Sequence, residues 1–441
     1  MSTAYILIVF FAVIVLMIIL LSKFKVHAAM GILLASVVLA IALGTPWEKI
    51  EGSINTGFSG TIKSVGIVIF LGCVLGTILE RTGAAQKITI SSIKFFGEKR
   101  IDWAIAFSSF ILGIAIWADT VVILLMPIVS NIATKTKKSM MSLGTTLYLG
   151  ALVTASLVPP TPGPVSAAGL LGLPIGEAII WGLIVSIPAV IASTIYTKRL
   201  KEFVAPKEEY LREHEQNEGV QLPSLAKSMM PILVPLLLIM LNTGINLLVP
   251  ETLVANVFKF IGSPLAALLT GCILSLMLTG PKWKTKEVLN NWVESGIGAA
   301  AMPIVVTGMG GALAAFIKSS GVADKIAELV AGTALPGILV PIVIAALIHV
   351  VTGSNALGVM TAAALVQPMM ETLGISPLAT FLACGTGALM FKHANSSGFW
   401  VTVTMSNMNV NQGLRGVGVA STIAGGVGAL ITVALQVSGV I

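Results

Sequence analysis

The residues best suited to chemistry are few, and they sit in apolar surroundings. Asp119 follows Trp117-Ala118 and precedes the apolar run VVILLMPI. A carboxylate at that depth of a hydrophobic segment is expensive unless it faces a cavity or a partner. Thr352-Gly353-Ser354-Asn355 breaks a second apolar run, and His349 lies one helical turn before it. Three prolines besides Pro159 and one glycine crowd into Pro159–Pro164, which no continuous helix tolerates. His393-Ala-Asn395-Ser396-Ser397-Gly398 is an uncharged polar break with Lys392 and His393 at its start. Freed backbone amides and helix N-termini at such breaks favour an anion. Thr161, Pro162, Gly163, Ser354, Asn355, His393, Asn395, Ser396 and Ser397 are therefore the candidate solute-binding residues. Asp119 and His349 are the candidates for moving a proton.

These breaks need elements to hold them, and composition says which. Of 441 residues 56% are hydrophobic and 10% charged, and the mean hydropathy is +0.98. A soluble domain carries roughly 25% charged residues. So apolar a chain requires lipid as its solvent, which restricts it to helices or a closed barrel. Long continuous apolar runs, without the alternation of a barrel strand, predict an all-α polytopic membrane protein. Such runs occur near 4–22, 26–44, 62–80, 101–118, 119–133, 141–158, 178–197, 229–249, 253–279, 297–317, 336–351, 355–370, 376–391 and 415–438. Several fall short of the ~20 residues that a full crossing takes. They are expected to be half-helices and re-entrant hairpins, giving about 12 or more membrane segments. The first run has no basic residue before it and is read as a retained helix rather than a signal peptide.

A polar stretch from Lys198 to Lys227 divides the chain. The expected organisation is a first membrane half over 1–197 (repeat core about 58–197), a solvated cytoplasmic linker over 198–228, and a second half over 229–441 (core about 296–441). The halves resemble each other. Gly72–Ile88 lines up without gaps on Gly310–Ile326, matching Gly72/Gly310, Leu75/Leu313, Gly83/Gly321, Ala85/Ala323, Lys87/Lys325 and Ile88/Ile326. Gly163 and Gly398 fall in nearly the same register. Residues 81–100 hold Arg81, Lys87, Lys94, Lys99 and Arg100 against one acid, whereas in 318–334 the charges balance. The positive-inside rule puts the first loop in the cytoplasm and the second outside. Two inverted-topology repeats with broken helices follow, an architecture of secondary transporters.

The net charge of +7 belongs to short loops between apolar runs and reports topology, not nucleic acid. Cys73, Cys272 and Cys384 stand apart in apolar stretches, with no metal-ligand spacing. HExxH, GxSxG and Walker motifs are missing from the sequence. The expectation is a transporter and not an enzyme, with no cofactor and no metal.

VPPTPGPVSAAG, HANSSGFW and the acid-bearing break before LLMPI resemble the gluconate permease family of gluconate:proton symporters, over nearly the whole chain. That resemblance implies inward, proton-coupled symport of gluconate or a related sugar acid across the bacterial inner membrane, and a homodimer. D-serine is another family solute. Where the family pattern commonly reads PPHPGP, this chain has Thr161; where Asn is commonly followed by Asp, it has Ser396; where the broken helix often bears Glu, it has Asp119. Those departures leave open a small amino acid as solute, or sodium as the coupling ion.

Overall fold

The computed structural model describes residues 3–216, 221–249, 251–319 and 336–441. Every regular element among them is helical. Eight helices are long and apolar enough to cross a membrane, and a ninth span is formed if the bent pair Leu253–Ile261 and Pro264–Met277 counts as one. Ala28–Ala42, Leu339–Thr352 and Pro377–Leu389 are shorter apolar helices. The polytopic helical expectation therefore holds. Residues 320–335 lie outside the described residues, and with them the second copy's Gly321, Ala323, Lys325 and Ile326.

Helices α1 (Thr3–Ser22) and α2 (Ala28–Ala42) lead into α3 (Trp47–Glu80), which is 34 residues long and far exceeds its 62–80 apolar run. Gly83, in the left-handed region at φ +73°, ends that helix and starts α4 (Ala84–Phe96). Then follow α5 (Ile101–Leu112), α6 (Ala118–Thr136), α7 (Met140–Leu157), α8 (Pro162–Leu171) and α9 (Ile175–Thr197). The polar stretch contains α10 (Glu208–Gln216). The second half comprises α11 (Leu225–Leu248), α12 (Leu253–Ile261), α13 (Pro264–Met277), α14 (Val293–Ser319), α15 (Leu339–Thr352), α16 (Asn355–Val366), α17 (Pro377–Leu389), α18 (Ser397–Met405), the short α19 (Val410–Gly413) and α20 (Val419–Val437).

Breaks between α5 and α6, α7 and α8, α15 and α16, and α17 and α18 fall where the sequence places its prolines, glycines and polar residues. Packing pairs recur between the halves: α5 on α7 and α15 on α17, α7 on α9 and α17 on α20, α8 on α16 and α18 on α6. The most extensive pair, α3 with α14, joins the halves. Its backbones touch because glycines face each other: a Cβ on Gly311 would lie 2.4 Å from the Gly57 carbonyl oxygen. Small residues at crossings of this kind replace the hydrophobic drive that lipid cannot supply.

Two breaks turn the chain back. Gly358 of α16 lies against Ala345 and His349 of α15, so α15 and α16 form an antiparallel hairpin. The α5–α6 pair splays, yet it closes at its base, where Lys138 just beyond α6 pairs with buried Asp102 in the first turn of α5. By contrast α7 and α8 run on as one apolar stretch, Met140–Leu171, despite their break.

The segment after α9 departs from a freely solvated linker. Val204 is buried; its N–H donates to Ser139 Oγ at 2.9 Å and its carbonyl accepts from Met140 N–H at 2.9 Å. Asn407 Nδ2 donates to the Ala205 carbonyl at 3.2 Å, and Gln412 Nε2 donates to Glu202 Oε1 at 2.7 Å. The stretch of chain before α10 is thus bonded to both halves. Its extended backbone has no ladder of its own, so side chains and loop amides satisfy it.

Candidate functional site

Four helix starts converge on one cavity of about 320 Å³. They belong to α6 (Trp117–Thr120), α8 (Thr161–Gly163), α16 (Gly353–Ala356) and α18 (Ser396–Gly398), two from each half. A helix N-terminus exposes amides without helical partners and carries roughly half a positive elementary charge, although Pro162 and Pro164 leave α8 only the Gly163 N–H in its first three positions. The volume is at the small end of ligand sites, which run from about 300 to 1,000 Å³.

Local chemistry builds each start. At α8, Pro162 occupies the first turn, where its missing N–H costs nothing. Thr161 donates its hydroxyl to the Ala155 carbonyl at 3.0 Å and the Val158 carbonyl at 2.9 Å, satisfying acceptors freed as α7 ends. At α16, Ser354 Oγ accepts from Leu357 N–H at 3.3 Å as an N-cap. Gly353 before it has φ +72°, and a Cβ there would lie 2.1 Å from the Asn395 carbonyl oxygen. Asn355 then ties four elements together: Nδ2 donates to the Ala388 carbonyl at 2.8 Å and to Ser156 Oγ at 3.4 Å, and Oδ1 accepts from Lys392.

Asp119 sits in the first turn of α6, where the helix dipole favours an acid. Its Oδ2 accepts from Ser397 Oγ at 3.0 Å, linking α6 to α18. Gly398 makes room for that contact. A Cβ there would fall 2.1 Å from the Tyr148 hydroxyl and 2.5 Å from Asp119 Oδ1.

Of the residues expected from the sequence, Asp119, Thr161, Pro162, Gly163, Ser354, Asn355, Ser396 and Ser397 all line this cavity. His349, His393 and Asn395 do not line it. His349 is buried inside the α15–α16 hairpin. His393 accepts at Nδ1 from Asn395 N–H at 3.3 Å, which leaves Nε2 to donate to the Val350 carbonyl at 3.0 Å. Asn395 Nδ2 donates to the Val350 carbonyl at 3.3 Å and to that of Val351. Both side chains thus cap carbonyls at the end of α15 and hold the hairpin tip. Trp117 and Thr120, the ends of the break around Asp119, also line the cavity, as do Tyr148 and Ser156, which sequence reasoning did not single out. Tyr148 and Ser156 lie within α7, whose sequence has no break to mark them. Lys392, read from the sequence only as a source of positive charge, is part of the lining as well. Among the described residues, no cluster of His, Cys, Asp and Glu suits a metal ion.

A bundle of broken helices whose starts enclose a cavity with polar lining is an architecture of solute permeases. This chain belongs to the GntP permease family, whose model, described as "GntP family permease", matches residues 4–438. An uncharacterized permease of Haemophilus influenzae is 33% identical over 92% of this chain and 87% of its own length. The gluconate permease of Pseudomonas aeruginosa is 31% identical over 93% of this chain and 92% of its own. The Gnt-II system L-idonate transporter of Escherichia coli is 29% identical over 93% and 94%. Among solved structures, the Alcanivorax borkumensis YdaH transporter, described as having an unusual topology, shares the fold: TM-score 0.65 over 88% of each chain, at 16% identity. The relatives are permeases and transporters by name, and the chain is a multi-pass membrane permease rather than an enzyme.

Proposed function

We propose that this permease carries gluconate or a related sugar acid into the cytoplasm, coupled to protons, across the bacterial inner membrane. The observation that carries the reading is the convergence of four helix N-termini on one polar cavity. Four positive dipole ends suit a carboxylate, and the serine and threonine groups around it suit hydroxyls. Relatives named for gluconate and L-idonate transport support the same solute class. The N–H groups of Thr161, Gly163 and Asn355, with the hydroxyls of Ser354, Ser396 and Ser397, hold the solute. Asp119 takes a proton as the solute binds and loses its charge. The halves work as inverted repeats, in the lipid bilayer and as a homodimer.

The test is uptake of labelled gluconate by proteoliposomes under an imposed inward proton gradient. Gradient-dependent uptake displaced by other sugar acids is the expected result; no uptake under any gradient sinks it. A second reading has its own observation: Asp119 offers a partner to an ammonium, so a small amino acid such as D-serine fits the cavity. Competition by D-serine and not by gluconate decides for it. Uptake driven by a sodium gradient at clamped pH assigns the coupling to sodium instead.

A further inference from the structure

Lys392 carries charge where charge is hardest to keep. It lies in the loop between α17 and α18, is 4% exposed, and reaches the cavity wall. Its Nζ donates to Asn355 Oδ1 and stands 6.0 Å over the Tyr148 ring. Among the described residues it has no carboxylate within ion-pair distance. Asp119, the one acid of the lining, is held by Ser397 on α18. An ammonium at a cavity wall whose hydrogen-bond partner is an amide oxygen, with no carboxylate beside it, is costly, and the four helix starts around the cavity add positive potential instead of relieving it.

The backbone is arranged to keep the side chain there. Phe391 has φ +59°, a left-handed conformation that bulky residues avoid. That turn leaves the Phe391 side chain outside, 53% exposed, with Lys392 buried next to it. The N–H groups of Phe391 and Lys392 donate to Thr422 Oγ1 and Ser421 Oγ of α20, each at 3.1 Å. Strain of this kind survives only where surrounding contacts over-determine it, and it gathers at functional sites.

We propose that Lys392 is the counter-ion for the solute's carboxylate and makes this cavity choose monocarboxylates over their uncharged analogues. This deepens the transporter reading and rests on the cavity being the solute site. One cation permits one carboxylate, with the acidic side at Asp119 left for a hydroxyl or ammonium donor. A purely structural Lys392, bracing the hairpin tip through Asn355, would affect charged and uncharged ligands alike.

The experiment measures binding to the purified full-length protein by calorimetry, using gluconate, its uncharged amide, and other monocarboxylates including D-serine and lactate. The wild type is expected to prefer acid to amide. Lys392→Gln should weaken the acid on the order of 30-fold or more, the scale of a truncated buried charge pair, and barely change the amide. Lys392→Arg should restore the preference. Equal binding of acid and amide by the wild type overturns the assignment without any variant, and so does a Lys392→Gln protein that keeps the preference; in either case bound gluconate leaves the sugar-acid reading standing. A wild type that ignores gluconate but binds another monocarboxylate, with the same dependence on Lys392, overturns the sugar-acid reading and keeps the assignment. No binding of any carboxylate sinks both.

Discussion

At the scale of single residues, the cavity depends on a few contacts with no slack. Asp119 is the one acid that lines the cavity and, on the proposed reading, the proton acceptor; replacing it by Asn keeps the shape while removing that acceptor. Asp119→Asn is expected to abolish accumulation of solute against its gradient while exchange of labelled for unlabelled solute continues. Full concentrative uptake by that variant would end the coupling role. Gly398 tests the geometry from the other side. Gly398→Ala puts a methyl against the Tyr148 hydroxyl and Asp119 Oδ1, an overpacking that costs about 1–3 kcal/mol. Solute affinity should fall accordingly while the purified protein remains monodisperse. Gly353→Ala is different in kind, because a positive φ and the Asn395 carbonyl both oppose it. It should lower stability by about 1–3 kcal/mol, read as a drop in the thermal midpoint in detergent.

At the scale of elements, the two hairpins present their tips to the cavity and must be held at their bases. The α5–α6 hairpin is closed by Lys138 and Asp102, with Ser142 Oγ donating to Asp102 Oδ1 at 3.4 Å. Asp102 is buried, whereas Lys138 is 32% exposed. Lys138→Met therefore strands a buried carboxylate, and the expected loss is about 3 kcal/mol. The double variant Lys138→Met with Asp102→Leu should recover much of it, because neither charge then remains. A denaturation series in which the double variant is no better than the single would show that the pair does not close the hairpin. The α15–α16 hairpin is held differently, by Asn395 and His393 on its last carbonyls and by Asn355 across to α17.

At the scale of the whole molecule, breaks and packing pairs recur between the two halves, and the proposal that the halves are inverted repeats, one of the architectures that gives alternating access, is open to a direct test. The three native cysteines are buried, so introduced ones report cleanly. Lys135→Cys, in the last turn of α6, should react with an impermeant thiol reagent only from the cytoplasmic side. Glu371→Cys, between α16 and α17, should react only from outside. Labelling of both from one side refutes the inversion. The stretch of chain at Glu202–Ala205 is bonded to α7's start, to the loop after α18 and to α19, and so ties the two halves together.

Much of this molecule is legible in its sequence alone. Helical membrane architecture follows from composition and pattern, since lipid leaves an apolar chain only helices or a closed barrel and the long runs lack a barrel's alternation. The four breaks are legible because their penalties are local: proline removes an N–H, a carboxylate resists lipid, and serine caps the helix it starts. Asp119, Thr161–Gly163, Ser354–Asn355 and Ser396–Ser397 stand out for those reasons. Tertiary structure alone decides the rest. Tyr148 and Ser156 sit in an unbroken helix and become site residues only because α7 turns that face to the cavity. His349 turns into its own hairpin, and His393 and Asn395 spend their hydrogen bonds on α15. Which face of a helix meets a cavity, and whether Lys392 keeps a counter-ion, depends on neighbours hundreds of residues away. Local free energy writes the breaks into the sequence; long-range packing assigns them their partners.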